Sequence, residues 1–135
     1  MASVIELRPA VETIAFSDDP DAKTYTVDIT DQGVLALRGR VEEVRAALDA
    51  AGDDDREAAA EAVHEFIAAV AGEQCYRDAL AYVAGGKPKK GATYVIALMP
   101  LVEALGAMVM GRVAAVKRTH MEDHLGRVEA TGDAI

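Results

Sequence analysis

The segment "ATYVIALMPLVEALGAMVMG", residues 92–111, constrains the fold most, because it is apolar over nearly its whole length and carries a single charge, Glu103. A helix that is apolar round most of its circumference needs partners on several sides. A bilayer, spanned by about 20 apolar residues, is one such environment. The centre of a helical protein that also offers a face to a second chain is the other. Pro100, the central Glu103 and the glycines stand against a span, although such residues do occur in membrane helices, and the segment is read as a central helix in a protein that avoids the membrane. A span over about 92–111 stands as the alternative. Ala97, Ala104, Ala107, Gly111 and Ala114 place small residues along one side of this helix, where another backbone can come close. Leu98, Leu101, Val102, Leu105, Met108 and Val109 cover other directions. Ala104, Met108 and Gly111 are therefore candidate contact residues.

The rest of the 135 residues is expected to surround that helix as one domain. The chain is 51% hydrophobic but only 4% aromatic, which favours helices packed on small side chains over an aromatic-rich sandwich. "VETIAF" (11–16) and "KTYTVDI" (23–29) alternate as two short strands round the turn-rich "SDDPDA", predicting a hairpin over about 11–29 with Tyr25, Val27 and Ile29 on one face. Thr30 or Asp31 can cap a helix over about 31–51, with an apolar seam at Val34, Leu37, Val41, Val44 and Leu48. The acids Asp53, Asp54 and Asp55 open a second helix over about 54–71, striped by Ala59, Val63, Phe66, Ile67 and Val70. Helices over about 74–84 and 92–118 follow, the last kinked or divided at Pro100, with a frayed tail over about 125–135. The fold class is mainly α: about four helices and a short N-terminal β-hairpin. "MASVIELRPAVE" does not read as a leader, because charges interrupt its apolar run.

The charge argues about partners. At a formal net charge of −9 a general nucleic-acid binder is not expected, since phosphate contacts need clustered positive charge. Residues 41–65 hold Glu42, Glu43, Asp49, Asp53, Asp54, Asp55, Glu57, Glu61 and Glu65 against Arg45 and Arg56. The lysines gather elsewhere, in "GGKPKKGAT" (85–93). That stretch approaches the phosphate-binding G-x-x-x-x-G-K-[ST], but Ala92 takes the place of the essential lysine, Pro88 removes an N–H donor, and a helical rather than strand pattern precedes it. It is read as a corner between helices whose Lys87, Lys89 and Lys90 offer a basic feature to the acidic region of another copy or of a client.

Chemistry is sparse. His120 and His124 stand at i, i+4 in "HMEDH" and can share a helix face, so a small metal-binding regulator or enzyme is a further alternative. The order departs from H-E-x-x-H, and no third ligand is evident. His64 reads as a surface residue beside Glu61 and Glu65. Cys75, the single cysteine, excludes an intrachain disulfide and has no adjacent base. No catalytic triad, carboxylate pair or dinucleotide loop stands out, so neither an enzyme nor a bound cofactor is expected.

Taken together, a short N-terminal hairpin, acidic helices, "HEFIAAVAGEQCYRDALAYVAGGKPKKGATYVIALMPLVEAL" and a helix–Gly85–Gly86–Lys87–loop–helix order resemble the tail assembly chaperones of long-tailed (siphovirus-type) phages and prophages of Gram-positive hosts. The likeness spans roughly residues 20–110, with Phe66-Ile67 ahead of Gly72 and Gly85-Gly86-Lys87 as its most specific parts. It implies a non-enzymatic protein of the bacterial cytoplasm that self-associates and coats the tape-measure protein until tail-tube subunits assemble.

Overall fold

A computed structural model describes residues 2–5, 7, 10–52 and 54–133, with side chains described as far as Ala115. The order is β1 (Val11–Ile14), β2 (Tyr25–Asp28), α1 (Asp31–Ala51), α2 (Arg56–Ala71), α3 (Glu73–Ala84) and α4 (Val95–Asp133), the helical architecture with a hairpin that the sequence predicts. The strands are shorter than the alternating runs suggest. They pair antiparallel with Val11 opposite Asp28 and Ile14 opposite Tyr25, and the Ile29 N–H extends the ladder by donating to the Ala10 carbonyl at 2.9 Å. Tyr25, Val27 and Ile29 are all buried. The apolar face of the hairpin thus closes on the helices, which a two-stranded sheet requires to persist in water.

Caps define the helix starts. The Thr30 side chain accepts from the Gly33 N–H at 3.2 Å, and Asp55 accepts from the Ala58 N–H at 3.0 Å, each satisfying a first-turn donor. Of the other three candidate caps, Asp31 lies inside α1, Asp54 lies in the turn before α2, and Asp53 lies outside the described residues. Gly72 alone joins α2 to α3.

The core is aliphatic. Val34, Val41 and Val44 of α1 meet Val63, Phe66, Ile67 and Val70 of α2, and Leu98, Val102, Leu105, Val109 and Val113 of α4. Leu37 and Leu48 of the expected α1 seam are half-buried at its edge. The five apolar residues expected to line α2 are all buried.

The fourth helix departs from expectation at both ends. Its start moves to Val95, because Ala92 is held in the preceding turn by its N–H bond to the Lys89 carbonyl. Pro100 lies inside α4 instead of dividing it. It forfeits one main-chain bond, to Ile96 one turn earlier, and both residues are exposed, so water can serve the freed carbonyl. The expected end near 118 and the frayed tail are corrected as well. The helix continues to Asp133, since the Arg, Val, Glu and Ala of that stretch propagate a helix that a long preceding segment has nucleated.

Candidate interaction surface

The buried side of α4 is fixed by Leu98, Val102, Leu105, Val109 and Val113, spaced at four and three residues. The opposite side therefore projects outward: Ile96, Ala97, Pro100, Glu103, Ala104, Ala107, Gly111 and Ala114 are all exposed. Within this face Ala97, Ala104 and Gly111 repeat every seven residues, as do Pro100, Ala107 and Ala114. Two adjoining columns with a seven-residue period form the seam along which a second helix can coil, and small residues let the backbones approach closely. At about 1.5 Å per residue the face runs about 27 Å from Ile96 to Ala114. Of the contact candidates, Ala104 and Gly111 lie on it, while Met108 is half-buried against the core.

Over Val95–Ala115 the mean hydropathy is 1.6, long and apolar enough for a membrane span, with 28% of the stretch buried. Its buried stripe is the shared core of α1, α2 and α4.

The lysine corner is built by backbone geometry. Gly85 closes α3 in the left-handed region at φ 75°. Its N–H donates to the Tyr82 carbonyl at 3.3 Å, and that of Gly86 donates to the Ala81 carbonyl at 2.8 Å. This paired-bond helix stop favours glycine in the left-handed position. Next, the Lys89 N–H donates to the Tyr94 hydroxyl at 2.9 Å, and half-buried Pro88 lines a small cavity with Tyr76 and Leu80. A helix feeds this loop where a phosphate cradle needs a strand, and Pro88 is spent on packing. Lys87, Lys89 and Lys90 are exposed, and among the described residues none of them enters an ion pair. The structure does not bring them together with Ala104 and Gly111, which begin about 14 Å along α4 from its first residue.

Between α4 and the start of α2 lies a groove of about 720 Å³, walled by Gly52, Arg56 and Ala59 on one side and by residues 93–97 on the other. At its lip stands Ile96, 89% exposed. The sequence reading missed this residue. Its signal was present: in "YVIALMP" Ile96 falls off the stripe of Leu98, Val102 and Leu105. A smaller groove of about 270 Å³ follows α4 along α1, between Arg45 and Glu103.

The polar clusters are structural ties. Asp78 of α3 accepts from the Tyr25 hydroxyl at 2.6 Å, Lys23 Nζ at 3.0 Å and Gln74 Nε2 at 2.8 Å. These bonds, led by that from Tyr25, hold its carboxyl down at about 2, whereas burial and then the Asp78 bond push the Tyr25 phenol up. Burial, with the Asp78 charge, also pushes the Cys75 thiol up to about 11. That is the reverse of an activated nucleophile. His64, beside Glu61 and Glu65 on α2, is partly exposed as expected but takes its partner from α3. Its Nε2 lies 2.8 Å from both oxygens of Glu73, and its ring stacks on Tyr76 at 3.9 Å, because the chain reverses at Gly72. The Glu73 carboxyl is held down first by this bond to His64, with Arg77 contributing. Among the described residues no three His, Cys, Asp or Glu side chains gather as metal ligands. The side chains of His120 and His124 lie outside them. Comparison of the chain with protein-family models, curated proteins and solved structures returns no match.

Proposed function

We propose that the protein is a non-enzymatic assembly chaperone of the phage-tail type, which self-associates and holds a long apolar helical client, the tape-measure protein, until tube subunits replace it. The observation that carries this reading is the uncovered outward face of α4 with its two heptad-spaced columns of small residues. A monomeric soluble protein rarely leaves so long a face, apolar but for Glu103, open without a partner for it. A strip of about 27 Å and one helix wide falls short of the roughly 800 Å² per partner that a stable interface buries. A client helix gripped this way needs many copies along its length, and linked weak contacts then combine. The acidic exterior keeps such an array soluble. A membrane span competes for the same apolar residues, but it would strip Leu98, Val102, Leu105 and Val109 from the core they share with α1 and α2.

Coexpression with the tape-measure protein from the same genome tests the proposal. The chaperone reading expects a soluble complex that co-purifies without detergent and is lost in an Ala107→Lys, Gly111→Lys variant that keeps wild-type circular dichroism. A tape-measure protein that stays insoluble and uncomplexed, or a chain recovered only from membranes, overturns it.

A further inference from the structure

We propose that the groove between α2 and α4 is a two-fold contact between copies of this chain, with Ile96 of each copy seated in the groove of the other. The inference deepens the self-association of the preceding reading and rests on it. In a two-fold interface one patch must be both knob and hole. This patch is: an almost fully exposed isoleucine stands at the lip of an open groove of about 720 Å³ whose far wall presents Gly52, Ala59 and the stem of Arg56.

Charge selects the partner and the orientation. The wall of residues 93–97 continues in sequence from the corner bearing Lys87, Lys89 and Lys90, whereas the opposite wall is flanked in sequence by Asp54, Asp55 and Glu57, which outnumber its own Arg56. A two-fold axis running along the groove sets the lysine corner of each copy against the acidic start of α2 in the other, and delivers Ile96 to the Gly52–Ala59 wall. An axis across the groove would oppose like charges. Among the described residues Lys87, Lys89, Lys90, Asp54 and Glu57 enter no ion pair within the chain, so they are free to pair between copies. Ala97 of the first heptad column is taken up by this contact, and the columns from Pro100 to Ala114 remain open for a client.

The experiment is sedimentation velocity over a concentration series at low and at physiological salt, with circular dichroism as the folding control. Ile96→Glu replaces an exposed side chain and is expected to leave the fold intact while weakening association about tenfold or more, the scale of losing a central interface anchor. Two charge variants supply the decisive arm: one carrying Lys87→Glu, Lys89→Glu and Lys90→Glu, the other carrying Asp54→Lys and Glu57→Lys, with Asp55 spared because it caps α2. Each alone opposes like charges and is expected to be monomeric, whereas an equimolar mixture restores both contacts and sediments as a dimer. The recovery should shrink as salt rises. A monomeric wild type, an Ile96→Glu variant that associates like wild type, or a mixture that stays monomeric overturns the contact. Tape-measure capture by a monomer would remove this contact and leave the client-binding reading standing. A dimer built as described that captures no tape-measure protein would do the reverse.

Discussion

At its polar edge the hairpin is tied to α3 by Asp78, through the hydroxyl of Tyr25. A carboxyl held at about 2 in the folded chain and near 3.9 in the unfolded one contributes stability that is present above the unfolded value and is lost as pH falls through the folded value. Tyr25→Phe removes the leading bond. It is expected to lower unfolding free energy at pH 7 by about 1 kcal/mol, the usual net worth of such a hydrogen bond. The gap between variant and wild type should close between about pH 4 and pH 2, as urea titrations at several pH values would show. A constant gap across that range would detach the carboxyl from the effect. Cys75 gives a second check at this scale. A buried thiol raised to about 11 should resist an aromatic disulfide reagent at pH 7.5 and react only once the protein is unfolded. The alternation of "KTYTVDI" revealed which face of Tyr25, Val27 and Ile29 is buried, but not the tie to Asp78. Side-chain bonds across 53 residues leave no local pattern to read.

Elements were legible where the periodicity was long and the caps were local. The stripe of α2 was readable residue by residue because Asp55 before it and Gly72 after it fix its register, and the seam of α1 followed from Thr30 in the same way. The end of α4 was not legible: the weak periodicity of residues 126–135 suggested fraying, yet Gly126 and Gly132 do not stop the helix before Asp133. The contact of His64 with Glu73 was missed because sequence neighbours were weighed over the turn at Gly72. The corner at 85–93 was legible as a helix stop, and its test is conformational. Gly85 sits at φ 75° with open space around its Cβ position, so Gly85→Ala should cost about 1–2 kcal/mol from backbone strain alone. Gly85→Asn should cost less, since Asn tolerates the left-handed region. Thermal melts of the two variants distinguish strain from loss of a ligand-binding loop. Calorimetry with ATP and magnesium should show no saturable heat for the wild type, whereas saturable binding abolished by changing Gly86 and Thr93 would restore the phosphate reading. Gly33 is constrained differently: a Cβ there would stand 2.9 Å from the Asp28 carboxyl carbon. Gly33→Ala therefore has to displace the carboxylate that accepts from the Thr30 N–H at 2.9 Å.

For the whole molecule, the decisive property is that α4 divides its apolar surface between a core and an open face, a division the composition of residues 92–111 could not reveal because both sides are apolar. Leu105 is completely buried, whereas Ala107, two residues on, is exposed. The two positions should therefore respond in opposite ways. Leu105→Ala leaves a cavity among α1, α2 and α4 and should cost about 2–5 kcal/mol of stability, with client capture falling only as far as the folded population falls. Ala107 is exposed at the edge of the groove along α1, which has room for added bulk, and leucine is a good helix former, so in Ala107→Leu stability should hold to within about 0.5 kcal/mol. In a closely packed seam, though, its extra bulk must push a docked helix away, a penalty of about 1–3 kcal/mol per contact. Repeated over many copies along one client, that penalty should abolish the soluble complex, whereas the two-fold contact at Ile96 is left untouched. Urea melts, sedimentation velocity and tape-measure pull-down on the same two variants separate these effects. If Ala107→Leu unfolds the chain, the face is not open. If it folds, dimerises and still captures client at wild-type yield, the helix is gripped elsewhere, and the groove along α1 between Arg45 and Glu103 becomes the surface to alter next.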